Sequence, residues 1–295
     1  MNLYDFIPVF LAIVAYLGWG IGDALSIKLF RSNNPSVITF NSGVGRVLIW
    51  LLFLPFFYKN LQLITITPFI YNIIAGIGSG LGYYFFGKAA KYTNPSLVAA
   101  IGGGWGASAL IIALIVFQES VSVFQWLSIF LIFLGLFMVT FRINWVKKIF
   151  TFKDKGIIYA LGAFVVWGIC GAFIKVPALA YGWYWTTLIL FIPYFIVLLF
   201  EVKNIKRGEI LKVRNTKLFL VYILLLAVAD FGYNSSFQFG GQVAVIGTIG
   251  GSYATLTTFL TNKIYKEPLS VRQKTGIIIS LLGIVLTSYF SSISI

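Results

Sequence analysis

The chain has 295 residues, 59% of them apolar and only 10% charged, with a formal net charge of +14 and a mean hydropathy of +0.94. A soluble domain keeps about a quarter of its residues charged, so this composition excludes a water-soluble protein. With no histidine and one cysteine, Cys170, the chain also excludes His-based nucleophile triads, HExxH zinc sites, Cys/His metal clusters and an intrachain disulfide.

Ten apolar runs of about 20 residues, the length that crosses a hydrocarbon core about 30 Å thick, follow one another. They lie at roughly 6–28, 36–57, 66–87, 96–117, 122–141, 156–176, 183–201, 217–239, 243–264 and 272–290, and are numbered as spans 1 to 10. Lipid offers backbone groups no partner outside their own segment, so runs of this length without two-residue alternation read as helices and not barrel strands. The opening MNLYDF lacks the cationic start of a cleaved signal, and span 1 is read as retained.

In span 1, Asp23 lies one turn beyond Trp19, with Ser26 nearly one turn further, so the three share a face. An ionised carboxylate within a span costs about 3 kcal/mol on insertion scales unless it is paired or faces water. Arg46, midway along span 2, is the expected counter-charge; such a pair either fixes helix packing or takes part in substrate or proton binding. In span 3, GIGSGLGYYFFG (76–87) lacks the preceding strand and following acid of a dinucleotide loop, and Gly76 and Gly80 read as helix packing. The same reading applies to Gly102 to Gly106 of span 4. Glu119 and Glu267 stand at matching starts of spans 5 and 10, where a carboxylate complements exposed N–H groups.

Along span 8, Asp230, Asn234 and Gln238 recur every four residues on an otherwise apolar helix. Such a stripe belongs against a cavity or another helix, not against lipid. Span 9 carries Thr248, Ser252, Tyr253 and Thr255. The aromatic residues Trp19, Tyr83, Tyr84, Trp105, Trp167 and Tyr253 are candidates for a cage around an apolar or cationic solute; interfacial belts draw on the same residue types.

A shift of 148 residues, which lays Ala12 on Ala160, brings the two halves into register. Trp19 and Gly20 fall on Trp167 and Gly168, Gly102 and Gly103 on Gly250 and Gly251, Glu119 on Glu267, Gln125 on Gln273, and Gly135 on Gly283. The carboxylates break this symmetry, since Asp23 meets Gly171 and Asp230 meets Gly82. The chain is thus divided into a first repeat (1–145), a basic connection (146–155) and a second repeat (156–295). Five spans per repeat is an odd number, so the second unit enters the membrane opposite to the first, the inverted arrangement of secondary transporters. Apart from Arg46, Lys59 and Lys175, every Lys and Arg lies in or beside the connections after spans 1, 3, 5, 7 and 9. The positive-inside rule places those connections in the cytosol and both termini outside. Cations held in short loops point to anionic lipid and not to nucleic acid.

These residues resemble the EamA-type repeats of the drug/metabolite transporter superfamily over the whole chain. The likeness rests on the Trp-Gly of spans 1 and 6, on Lys28 and Lys175 closing those spans, on Arg46, and on the close of each repeat, QESVSVFQWLSIFLIFLG (118–135) and KEPLSVRQKTGIIISLLG (266–283). The resemblance implies a ten-helix inverted-repeat fold around a cavity lined mainly by spans 1, 3, 4, 6, 8 and 9. It also implies termini in the cytosol, the opposite of the charge count.

The sequence therefore predicts an all-α integral membrane protein with ten transmembrane helices in two inverted five-helix repeats. It predicts a secondary transporter of a small metabolite or drug-like molecule by alternating access. The candidate substrate- or proton-binding residues are Asp23, Asp230, Asn234, Gln238, Trp19, Arg46, Tyr83, Trp167, Ser252 and Tyr253. No ATP-binding motif, metal site or cofactor is expected, so a gradient or a separate partner supplies the energy. The expected partners are the lipid bilayer, a small-molecule substrate and a coupling proton, with the chain a monomer or homodimer in the cell membrane. The alternatives are an integral membrane enzyme acting on lipid or polyisoprenoid and a non-transporting scaffold or channel.

Overall fold

Asn34 shows how the chain turns from one span into the next: its side chain accepts from the Ser36 N–H while Pro35 occupies the first helical position, where a missing N–H costs nothing. The computed structural model describes residues 3–60, 64–93, 95–140, 154–203, 205, 207–210, 212–264, 266 and 269–291. Within them the secondary structure is helical throughout. Spans 1, 2 and 3 are Leu3–Ser32, Pro35–Leu52 and Ile66–Tyr92. Span 5 is Val123–Thr140, span 6 Lys155–Phe173, span 8 Thr216–Gln238 and span 10 Val271–Ser291. Among the described residues nine spans have the length and apolarity to cross a membrane, and the apolar helix Val123–Val139 stands in the fifth position just short of that length.

Three spans are interrupted. Span 4 is two helices, Pro95–Gly102 and Gly106–Ile115, joined by a 3-10 turn at Gly103–Trp105, and span 9 is Val243–Gly251 and Ala254–Ile264. Span 7, Lys175–Val202, changes direction at Tyr181 and Gly182. Gly182 has φ +79°, a left-handed conformation that a side chain disfavours, and the turn aims the Trp183 N–H at Gln238 Oε1, 3.0 Å away. Span 2 ends at Leu52 instead of running to 57 as the sequence predicts, because Pro55 starts a separate turn, Leu54–Phe57.

Contacts between the halves obey the same 148-residue relation as the sequence. Gly135 of span 5 lies against Gly276 and Ser280 of span 10, while its counterpart Gly283 lies against Ser128 and Ile132, the counterparts of those two. Gly103 touches Ala254 as Gly251 touches Gly106. Reciprocal contact of this kind is the mark of a two-fold axis. As numbers rise along span 5, those of its partners in span 10 fall, so counterpart helices run antiparallel and the repeats are inverted. Spans 1 and 8 pack lengthwise, as do their counterparts 6 and 3. The main helix contacts cross from one repeat to the other.

Candidate functional site

Arg46, projecting from the middle of span 2, is 1% exposed and sits near the pseudo-two-fold axis. One of its guanidinium nitrogens donates to Asp230 Oδ2 at 2.9 Å and another to the hydroxyl of Tyr194 at 3.3 Å. Tyr194 is the residue 148 positions on, so the axis passes between a guanidinium and the phenol that replaces it. The charge is also covered by the rings of Tyr83, Phe191 and Tyr194, whose centroids lie 4.8, 4.9 and 5.4 Å away. Such contacts strengthen when water is excluded.

The sequence reading paired Arg46 with Asp23; the structure corrects this. Asp230, on span 8, takes the guanidinium. Asp23, 2% exposed, forms no ion pair among the described residues and shares the cavity lining with Tyr253. The reason is geometric: spans 1 and 2 touch little, whereas span 8 packs along span 1 and also reaches span 2. Asp230 is thereby brought to the guanidinium from the far repeat.

Around these groups lies a cavity with about 60 Å³ open to the centre of a water molecule, room for only a few waters. Of the ten candidate residues, Trp19, Asp23, Arg46, Tyr83, Trp167, Asp230, Asn234 and Tyr253 line it. Gln238 does not: it sits in a second recess near Lys59 and Tyr181, holding the Trp183 N–H. Ser252 is buried and turns its hydroxyl to its own helix, donating to Ile249 O at 2.7 Å. Tyr84 also stays off the cavity, packed on Phe85 and Tyr159. Trp19 meets Trp105, Tyr233 and Tyr253 at centroid distances of 5.8, 5.2 and 6.1 Å, and these four rings form one aromatic wall of the cavity that Asp23 also lines.

Sequence reasoning missed several lining residues. Tyr233 belongs to the polar stripe of span 8, one turn from Asp230, and its hydroxyl donates to Gly171 O at 2.9 Å; helical spacing was the available signal. Thr187, Leu190 and Phe191 line the cavity from span 7, a span the resemblance did not include. Thr187 Oγ1 accepts from Asn234 Nδ2 at 2.8 Å. Pairs of this type cannot be read from one chain, because their members lie far apart in sequence.

Glu119 also differs from expectation. Its oxygens do not cap span 5; they accept from the N–H groups of Val243 and Ala244, the start of span 9, at 2.9 and 2.8 Å, and one of them from Lys175 Nζ at 2.6 Å. The chemistry is the expected one, a carboxylate at a helix N-terminus, but the helix is in the other repeat. Its counterpart Glu267 lies outside the described residues.

Against this geometry stands the comparison with known proteins. The sequence profile of the EamA-like transporter family matches residues 6–141 and again residues 154–289. The chain belongs to this family. It is a multi-pass integral membrane protein of the drug/metabolite transporter type, and EamA proteins are transporters rather than enzymes. No curated relative matches the sequence. A crystal structure of a protein 13% identical to this EamA chain superposes with a TM-score of 0.71, covering 96% of this chain and 98% of its own; at that identity the likeness speaks for the fold. The two profile matches coincide with the halves that the glycine contacts relate by a two-fold axis.

Proposed function

We propose that this EamA protein is a secondary transporter that alternates access around the central cavity, and that Asp23 holds the positive group of a cationic solute or, in exchange, a coupling proton. One observation carries the reading. Of the two carboxylates in the cavity, Asp230 is already neutralised by Arg46 at 2.9 Å, whereas Asp23 is buried with no ion pair among the described residues. One guanidinium against two carboxyl groups leaves Asp23 to be balanced by a proton or by the positive group of a solute. The rings of Trp19, Trp105, Tyr233 and Tyr253 line the same cavity, and aromatic walls of this kind suit a cation.

The test is uptake by proteoliposomes of a panel of primary and quaternary amines under a proton gradient. Asp23→Asn is expected to reduce uptake to background and to abolish its pH dependence, because a neutral amide neither balances a cation nor carries a proton. Unchanged uptake and pH profile in that variant would remove Asp23 from the mechanism. The tightness of the cavity, which holds only a few waters, favours a second reading, a non-transporting membrane scaffold. In that case no amine of the panel is carried by the unmodified protein, and none raises its unfolding temperature by preferential binding to the folded state.

A further inference from the structure

On the face that carries the connections after the odd-numbered spans, a further and larger cavity of about 780 Å³ opens, away from the central one. It is lined by Arg31 and Asn34 at the turn between spans 1 and 2, by Lys91 at the end of span 3, and by Glu209, Lys212 and Arg214 of the connection between spans 7 and 8. Setting Arg31 aside, Lys91, Lys212 and Arg214 stand against the one carboxylate of Glu209 among the lining residues, a local excess of two positive charges. The cavity is built from both repeats. Asn33 Oδ1 accepts from the Arg214 backbone N–H at 2.8 Å, and Asn41 Nδ2 donates to Ile210 O at 2.5 Å, so the connection of the second repeat is fastened to the first beside the cavity. The chain brings these cations together although like charges repel. An anion between them turns that repulsion into attraction.

We propose that this cavity binds a phosphate group. Its volume falls in the range of small-molecule sites, about 300–1,000 Å³, and Arg and Lys are the side chains that match phosphate oxygens. The position is also that of a headgroup, because Arg31 and Lys91 end spans 1 and 3, where helix passes into the polar layer of the bilayer. A phosphate held there joins the ends of two spans of the first repeat to the connection of the second. It thereby stabilises the two repeats in their present arrangement on this face.

Anionic lipid and free phosphate share the chemistry, and the experiment separates them. The full-length protein in neutral detergent is titrated with short-chain phosphatidylglycerol, with phosphatidylcholine of the same chain length, and with inorganic phosphate, while its unfolding temperature is followed. Phosphatidylglycerol is expected to raise that temperature and phosphatidylcholine to leave it unchanged. In the Lys212→Ala/Arg214→Ala variant the apparent affinity should fall roughly thirty-fold, at the scale that each basic residue contributes beside an anionic headgroup. In an Arg272→Ala/Lys274→Ala control, which removes two cations at the start of span 10, it should be retained. A response to inorganic phosphate, lost in the first variant, identifies free phosphate as a sufficient ligand; a response to the lipid alone identifies the headgroup. Equal loss in both double variants, or no response in the unmodified protein, overturns the proposal. Should the first variant fail to fold, Lys91→Gln carries the same comparison, since Lys91 is an exposed residue at a helix end.

Discussion

Arg46 and the two cavity carboxylates illustrate how differently one residue type behaves once packing has chosen its partner. Asp230 and Arg46 form a buried pair, and removing either half strands a charge in a low-dielectric interior. Arg46→Met is expected to destabilise the folded protein by about 3–5 kcal/mol, and the double change Arg46→Met/Asp230→Leu to recover most of that loss. Denaturant-dependent unfolding in detergent measures both, and a double variant as unstable as the single would show that the pair is not a self-contained unit. Asp23 is predicted to behave in the opposite way. Among the described residues its carboxylate has no cation at ion-pair distance, so Asp23→Asn should leave stability unchanged or raise it, in the same preparations in which transport is tested. That Asp23, Asp230 and Arg46 matter was legible in the sequence, because charge inside a span is costly wherever it occurs. Which carboxylate meets the guanidinium was not. Asp23 is near in sequence and Asp230 is far, and the choice depends on which helices touch.

Among the helices, spans 4 and 9 carry the features that a sequence describes least well. The glycines around Trp105 and their counterparts before Tyr253 read as packing devices, and they are, yet they also mark where both spans break. A Cβ at Gly251 would lie 2.3 Å from the Gly106 nitrogen and one at Gly106 2.5 Å from Gly247 O, so the two broken helices cross backbone to backbone. Gly251→Val is therefore expected to abolish folding into a monodisperse species, measured by size-exclusion chromatography in detergent. Neighbouring Ala254→Gly should be tolerated. Glu119 works at the same scale. It caps the first half of span 9 from the other repeat while pairing with Lys175. Glu119→Gln should cost about 1–2 kcal/mol, and amide exchange at residues 243–246 should quicken while span 5 is unaffected. Faster exchange at the start of span 5 instead would mean that Glu119 caps its own helix after all.

At the scale of the whole molecule, the repeats interlock and do not stand side by side. Spans 1 with 8, 3 with 6, and 5 with 10 are each drawn from opposite repeats. We expect that residues 1–145 expressed alone are degraded, and that both halves expressed together assemble into a complex recoverable through a tag on either one. Stable accumulation of a lone half would show that a repeat can satisfy its own packing faces. The ten spans, the duplication and the opposed direction of the two units follow from the sequence alone. They depend on apolar length, on residue identity at one constant offset and on the parity of five, all of which are properties of a linear chain. The pairing of Arg46 with Asp230, the placing of Gln238 and Ser252 away from the cavity, and the capping of span 9 by Glu119 were decided by the tertiary structure. Each depends on the depth and rotation at which one helix meets another, and these are set by interdigitation of side chains from opposite ends of the polypeptide.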